Sequence, residues 1–181
     1  MQLSKIVIAA VAAVALTACE TGAQMYAGAD AGYVVASLAK PPGSAYDSVT
    51  LAYRRADGNG DGTLNFSGGA SSSAVAVARL APGPYEFYTF TVKGAGRDYT
   101  PLFVYSIPFS VQTGKATYLG QYLALDNADE PYFVISNEQA RDMALAAKAD
   151  ASLVGLPAIA AIPDPGKLPY FRKAPLPSRK P

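Results

Sequence analysis

The chain contains no histidine, no tryptophan and a single cysteine among its 181 residues. Without imidazole groups it cannot build a Ser-His-Asp triad, a Cys-His dyad or a histidine metal site. One thiol can form neither an internal disulfide nor a zinc site made of several thiolates. These absences exclude the hydrolases and zinc enzymes that depend on those constellations.

An excess of charge of one sign is also missing. The 15 basic and 14 acidic residues give a formal net charge of +1. A chain without a broad basic surface has no electrostatic attraction for phosphate backbones, so we expect no nucleic-acid partner. The length is typical of one domain with additional segments at its ends.

The N-terminal segment has the pattern of an export signal. Lys5 precedes an unbroken apolar run from Ile6 to Leu16. Eleven helical residues rise only about 16 Å, whereas a hydrocarbon core is roughly 30 Å thick. The run therefore predicts a signal peptide over residues 1–18 and not a stable membrane span.

The motif Leu16-Thr17-Ala18-Cys19 resembles the lipobox of bacterial lipoproteins, in which an aliphatic and two small residues precede cysteine. The resemblance implies a diacylglycerol thioether on Cys19, cleavage after Ala18 and acylation of the new amino group. Several acyl chains hold a membrane far better than one, because each buried CH2 contributes about 0.8 kcal/mol. Glu20 stands where aspartate would favour inner-membrane retention, which implies the outer membrane, facing the periplasm. The alternative is a secreted protein cleaved at the same place without a lipid.

The rest of the chain divides into three parts by composition. Residues 19–32 are rich in small residues without periodicity and predict a lipidated, flexible tether. Residues 33–157 carry the patterned, strand-rich sequence of a folded domain. Residues 158–181 are rich in proline and basic residues, and predict an extended or disordered tail.

Short alternating segments separated by turn residues dominate the domain. This spacing predicts a mainly β fold, an antiparallel β-sandwich of about seven or eight strands. The predicted strands cover residues 33–38, 49–53, 63–66, 75–80, 85–92, 103–111, 116–125 and 132–135. Alternation within the fifth places Tyr88, Phe90 and Val92 on one face, with Tyr85 and Phe87 on the other. Pro108 predicts an edge strand or a bulge.

One C-terminal α-helix follows the strands. Ser136 and Gln139 have the spacing of a capping box, and Gly155 and Pro157 end the segment. The predicted apolar face consists of Ala140, Met143, Ala144 and Ala147.

Two pieces resemble motifs of small bacterial lipoproteins, namely Leu80-Ala81-Pro82-Gly83-Pro84-Tyr85-Glu86-Phe87 and Thr113-Gly114-Lys115-Ala116-Thr117-Tyr118-Leu119-Gly120. In that group a Pro-Gly turn enters a tyrosine-bearing strand, and a later glycine turn enters a Tyr-Leu-Gly strand. The resemblance covers roughly residues 33–150 and implies a sandwich similar to transthyretin-like and carboxypeptidase-regulatory-like domains. It implies no catalytic residues.

The sequence from Asp57 to Leu64 offers a candidate calcium loop. Asp57, Asn59 and Asp61 and the carbonyl of Thr63 match the first half of an EF-hand loop. However, Gly68 occupies the position of the closing glutamate, and no helices flank the loop. A hairpin turn whose glycines adopt positive φ is the interpretation we favour.

Other residues offer weaker candidate sites. Exposed tyrosine rings could stack on glycans, although a core position is the favoured interpretation for Tyr88, Tyr99, Tyr105, Tyr118 and Tyr122. Acid–base chemistry would require paired carboxylates, for which the candidates are Asp126, Asp129 and Glu130. Basic tail residues could contact anionic headgroups or the cell-wall polymer, namely Lys167, Arg172, Lys173, Arg179 and Lys180.

These patterns favour a lipid-anchored, non-enzymatic accessory or interaction protein of the cell envelope, with a membrane contact through Cys19. Its partner would be an envelope protein or the cell-wall polymer, and no cofactor is expected besides the covalent lipid. A ligand-binding module for a cell-wall glycan, or for calcium at the Asp57–Asp61 loop, is the second hypothesis. An envelope hydrolase is the third.

Overall fold

The computed structural model describes residues 25–41, 43–44, 46–67, 74–94, 96–102, 104–127, 130–164, 166 and 168–174. The predicted signal peptide and Cys19 lie outside these residues. The strands are β1 Gly32–Ala39, β2 Ser48–Arg55, β3 Asp61–Ser67, β4 Ala74–Leu80, β5 Gly83–Gly94, β6 Arg97–Tyr99, β7 Ile107–Val111, β8 Ala116–Asn127, β9 Glu130–Ser136, β10 Ala158–Ala160 and β11 Phe171–Lys173. Helix α1 spans Gln139–Ala149, and a short 3-10 turn spans Ala151–Leu153.

The strands form two sheets that face each other, which confirms the mainly β sandwich with one helix. One sheet has the order β11-β9-β8-β1-β4, with β10 also paired to β8. The other has the order β3-β2-β5, and β6 and β7 both pair with the edge of β5 that faces away from β2. The first sheet is mixed, because β1 and β10 run parallel to β8 and β11 runs parallel to β9.

Aromatic and aliphatic side chains fill the space between the sheets. On β2, Val49, Leu51 and Tyr53 are buried at the predicted period of two. The Phe90 ring of β5 meets the Phe133 ring of β9 nearly at right angles, with centroids 4.9 Å apart. Edge-to-face pairs of this kind add to the stabilisation from burial itself.

A bulge in β5 makes the predicted division of its faces wrong. The register with β2 shifts so that Ala52 pairs with Thr89 whereas Tyr53 pairs with Phe87, which leaves Tyr88 as the extra residue. Residues on both sides of the bulge therefore point into the same core: Tyr85, Phe87, Phe90 and Val92.

A second bulge explains the Tyr-Leu-Gly motif in β8. Val35 pairs with Tyr118 whereas Ser37 pairs with Gln121, so β8 carries one residue more than β1. Gly120 lies there with φ of +105°, a region that residues with a Cβ rarely adopt. The bulge leaves Tyr118 on the helix side of the sheet and directs both Leu119 and Tyr122 into the sandwich core.

Helix α1 packs on the outer face of the mixed sheet, but its details differ from the prediction. Asp142 and Ala146 are buried and Met143 and Ala147 pack beside them, whereas the predicted Ala140 and Ala144 are exposed. The sheet surface beneath α1 carries the hydroxyl groups of Ser37 and Tyr118, so the helix presents the carboxylate of Asp142 to them.

The predicted capping box is also wrong. Glu138 occupies the N-cap position without a side-chain capping bond. The Ser136 hydroxyl instead donates to Gln121, and Asn137 Oδ1 accepts the Gln139 N–H at 3.1 Å. No helix within the described residues is long and apolar enough to cross a membrane.

The C-terminal segment predicted as a tail contributes to the sheet, so the predicted boundary at residue 157 is wrong. Strand β10 pairs with β8, and β11 pairs with β9. Phe171 is 2% exposed and its ring stacks on Phe133, with centroids 5.4 Å apart. A short strand with one large aromatic side chain can pair at a sheet edge despite the prolines around it.

The predicted tether is shorter than residues 19–32. The Tyr26 N–H donates to the Arg79 carbonyl at 2.9 Å, and Ala31 is buried. Because the segment begins to form backbone hydrogen bonds at Tyr26, the part of it from Tyr26 onward belongs to the folded domain.

The alternating segment 103–111 forms a strand only in its second half. β7 begins at Ile107 and pairs with β5 alone, so Pro108 lies on an edge strand as predicted. Tyr105 precedes the strand, yet its side chain is buried and its N–H donates to the Tyr88 carbonyl at 3.1 Å.

Candidate functional site

A cleft of about 270 Å³ opens at the end of the sandwich where the described chain begins. Four parts of the chain meet there: the N-terminal segment, the end of β2 with the turn into β3, the end of β4 and the start of β5. The lining residues are Met25, Tyr26, Ala27, Tyr53, Arg55, Asn59, Gly60, Asp61, Leu80, Ala81 and Tyr85.

Two tyrosines from neighbouring strands form the floor of the cleft. The rings of Tyr53 and Tyr85 meet edge to face, with centroids 6.1 Å apart. The Tyr85 hydroxyl donates to the Ala81 carbonyl at 3.0 Å, which fixes the chain as it enters the Pro-Gly turn.

The Tyr53 hydroxyl differs from that of Tyr85, because it is buried with no hydrogen-bond partner among the described residues. Burial, reinforced by the nearby Tyr85 and Asp61, raises the pKa of Tyr53 to about 12. A buried polar group without a partner costs about 1–3 kcal/mol. The hydroxyl packs against Gly62, where an added Cβ would lie 2.5 Å from its oxygen.

The guanidinium of Arg55 forms one wall. It donates to the Pro82 carbonyl at 3.2 Å and lies over Gly83, while its Nε is 3.2 Å from Asp57 Oδ2. The side chain is therefore held between the two turns at this end of the sandwich.

The opposite wall comes from the N-terminal segment. The Tyr26 ring folds over Gly28, and its hydroxyl donates to Asp30 at 2.8 Å. That hydrogen bond raises the pKa of Tyr26. The Arg79 guanidinium donates to the Gly28 carbonyl at 2.8 Å and ties the segment to β4.

The candidate calcium loop is the hairpin turn between β2 and β3, at the rim of this cleft. Asp57 Oδ1 accepts the backbone N–H of Asn59 at 3.0 Å, and Oδ2 faces Arg55. Asp61 is exposed at the start of β3, paired across the hairpin with Arg54. No group of three or more acidic, cysteine or histidine side chains in the described residues is placed to hold a metal.

The structure separates the other predicted site residues. Tyr105, Tyr118 and Tyr122 are buried, so their rings cannot stack on a ligand. Tyr99 is half-buried against Phe90. Tyr88 is half-buried beneath the Arg54 guanidinium, which lies 5.1 Å from its ring centroid.

The acidic and basic candidates do not form a described site. Asp126 pairs with Pro131 and Glu130 pairs with Asn127 where β8 meets β9, with only their backbones described, and Asp129 lies outside the described residues. Arg172 covers the Tyr132 ring at 4.6 Å. Nothing is described of the side chains of the other predicted basic residues, Lys167, Lys173, Arg179 and Lys180.

The cleft tyrosines were not among the sequence candidates. Tyr53 and Tyr85 have the alternation of ordinary core residues, and nothing local shows that the two strands bring their ends together. The Pro-Gly turn before Tyr85 was a usable signal, since it places that strand's start at an end of the sandwich.

Comparisons with known proteins leave the family open. No family model matches the chain, and no curated protein matches it. Among solved structures, a leucine-rich repeat protein from Bacteroides thetaiotaomicron is similar over 51% of this chain and 13% of its own, at 15% identity and a TM-score of 0.35. A candidate cell adhesion protein from Bacteroides ovatus is similar over 60% of this chain and 44% of its own, at 10% identity and a TM-score of 0.38. The chain thus spans less than half the length of either neighbour.

Proposed function

We propose that this chain is an exported protein of the cell envelope, anchored by a lipid on Cys19, that works as a non-enzymatic interaction module. The observation that carries the proposal is the position of the N-terminal segment. Met25 and Tyr26 line the cleft. Cys19 lies six residues before Met25 in the sequence. Six residues of fully extended chain reach about 20 Å. The anchor would thus hold this end of the sandwich close to the bilayer.

The chemistry of the cleft supports binding more than catalysis. Catalytic acid–base pairs need groups whose pKa values are moved toward the working pH. Burial moves the pKa of Tyr53 away from neutrality, to about 12.

Site-directed photo-crosslinking in living cells tests this function. A benzophenone side chain in place of Asn59 lies on the rim of the cleft, whereas one in place of Val154, which is 68% exposed, lies outside it. We expect position 59 to capture an envelope component that position 154 does not. The capture should be lost in the Cys19→Ser variant, which we expect in the soluble fraction.

Two results would contradict the proposal. The first is an identical set of cross-linked products from positions 59 and 154. The second is a Cys19→Ser variant that still sediments with membranes and gives the same products as the unmodified chain.

A further inference from the structure

We infer that the cleft binds one uncharged, hydroxyl-rich ring, that is, a single saccharide unit of a larger glycan. This goes beyond the proposed function, since the cleft would bind the sugar whether or not Cys19 carries a lipid. At about 270 Å³ the cleft lies just below the usual range for small-molecule sites. That volume suits one ring better than a peptide segment or an acyl chain.

The lining has the mixture of groups that hydroxyls require. A sugar hydroxyl both donates and accepts, so its site needs donors and acceptors together. Arg55 supplies donors, the Asp61 carboxylate supplies acceptors, and the Asn59 amide supplies both. Tyr26, with 36% of its surface exposed, offers an aromatic face for the C–H side of the ring.

Polar groups behind the cleft are not fully paired by the protein. The Tyr53 hydroxyl is buried with no hydrogen-bond partner in the part of the chain that the structure describes, and Arg55 Nε is held by its ion pair with Asp57 without an aligned hydrogen bond. Buried polar groups in folded proteins nearly always have partners, so an unpartnered hydroxyl on a residue that lines the cleft points to a polar ligand there.

The charges at the rim favour a neutral ligand. Asp57 lies against Arg55 and balances its charge, while the carboxylate of Asp61 is exposed. Arg55 and Arg79 are outnumbered by Asp30, Asp57 and Asp61 around the cleft, and the resulting excess of one negative charge repels carboxylates and phosphates. A neutral sugar avoids that repulsion, whereas a phosphorylated lipid headgroup does not.

Ligand-observed NMR and calorimetry on the full-length protein, purified in detergent, can test this site. The probes are N-acetylglucosamine, glucose and glucuronate, the last differing from glucose only by its carboxylate. We expect both neutral sugars to bind at millimolar concentration and glucuronate to bind about threefold more weakly at low salt. The Asp61→Asn variant should remove that difference.

Variants of the rim locate the site. Tyr26→Ala and Asn59→Ala should each weaken sugar binding about tenfold. Tyr132→Ala is the matched control, because Tyr132 is also a partly exposed tyrosine but lies on β9, outside the cleft. The Cys19→Ser chain should bind as the lipidated protein does, which separates this inference from the anchoring proposal.

The source of the sugar is tested with two longer neutral probes, a β-1,4-linked oligomer of N-acetylglucosamine, which has the sugar chemistry of the cell-wall polymer without its carboxylates, and a hexose oligosaccharide. Tighter binding of either one supports the site and identifies its source. The inference is overturned if the folded protein gives no signal with either neutral monosaccharide, if glucuronate binds better than glucose, or if Tyr26→Ala binds as well as Tyr132→Ala.

Discussion

The Tyr118 hydroxyl on β8 donates a 2.6 Å hydrogen bond to the buried carboxylate of Asp142 on α1. Ser37 of β1 donates to the same oxygen, and Arg141 Nη2 contacts the other oxygen at 2.7 Å. The Tyr118 hydroxyl also accepts the backbone N–H of Glu138 at 3.2 Å. One carboxylate therefore joins the first turn of the helix to two strands of the sheet.

Removing this carboxylate should detach the helix. We expect Asp142→Ala to lower the free energy of unfolding by about 2–5 kcal/mol, because the buried hydroxyls of Ser37 and Tyr118 lose their acceptor. Urea denaturation measures the change. Asp98→Ala is the control, since its exposed ion pair with Lys93 is worth less than about 1 kcal/mol. Equal losses in the two variants would show that α1 is not held through Asp142.

The C-terminal segment should contribute to stability through one side chain. Phe171→Ala empties a buried site among aromatic rings and should cost about 3–5 kcal/mol. The neighbouring Arg172→Ala loses only an exposed contact with Tyr132 and should cost about 1 kcal/mol or less. If thermal denaturation gave the same melting temperature for both variants, β11 would not be part of the fold.

The bulge in β8 predicts a specific sensitivity to a side chain at Gly120. A Cβ there would lie 2.9 Å from Ile135 Cγ2, at a φ that already disfavours alanine. Gly120→Ala should therefore cost about 2–4 kcal/mol. Gly114 has a φ of +63°, in the left-handed helical region, and open space around it, so the expected cost of Gly114→Ala is about 1–2 kcal/mol. Equilibrium unfolding of the two variants measures these losses, and a smaller loss at Gly120 than at Gly114 would contradict the bulge.

Stability should fall at alkaline pH as buried tyrosines ionise. Burial raises the pKa of Tyr53 to about 12 and raises those of Tyr105, Tyr118 and Tyr122 as well. An unfolded tyrosine ionises near pH 10, so between that pH and the folded pKa the unfolded state releases protons that the folded state keeps. The stabilisation is complete below about pH 10 and declines above it.

Absorbance of tyrosinate measures this effect directly. We expect the buried tyrosines to ionise only as circular dichroism reports unfolding. A single titration of all 12 tyrosines near pH 10, with the β signal intact, would contradict the buried positions.

The sequence predicted the strands and the helix because their signals are local. Alternation in β2 and the turn residues between segments depend only on neighbours in the chain. The two bulges were missed, because an extra residue is defined by the register with a partner strand, as at Tyr88 against β2. β11 was missed for a similar reason: Phe171 lies among prolines, and only its pairing with β9 buries it.

The cleft was predictable only in part. The sequence marks the turn after Asp57 as a candidate calcium loop, and the structure places that turn at the rim of the cleft. Its companions Tyr26 and Tyr85 are distant in sequence, and the meeting of three strand ends depends on the order of strands in both sheets. The alternation of apolar and polar residues along a strand does not indicate which strands become its neighbours in a sheet.

The lipid on Cys19 is the central claim about where the protein works, and intact-mass spectrometry of the chain extracted from cell membranes tests it most directly. The account predicts a chain that begins at Cys19 and carries the added mass of a diacylglycerol and an N-linked acyl group. A chain recovered without any acyl mass, or one that still begins at Met1, would contradict it.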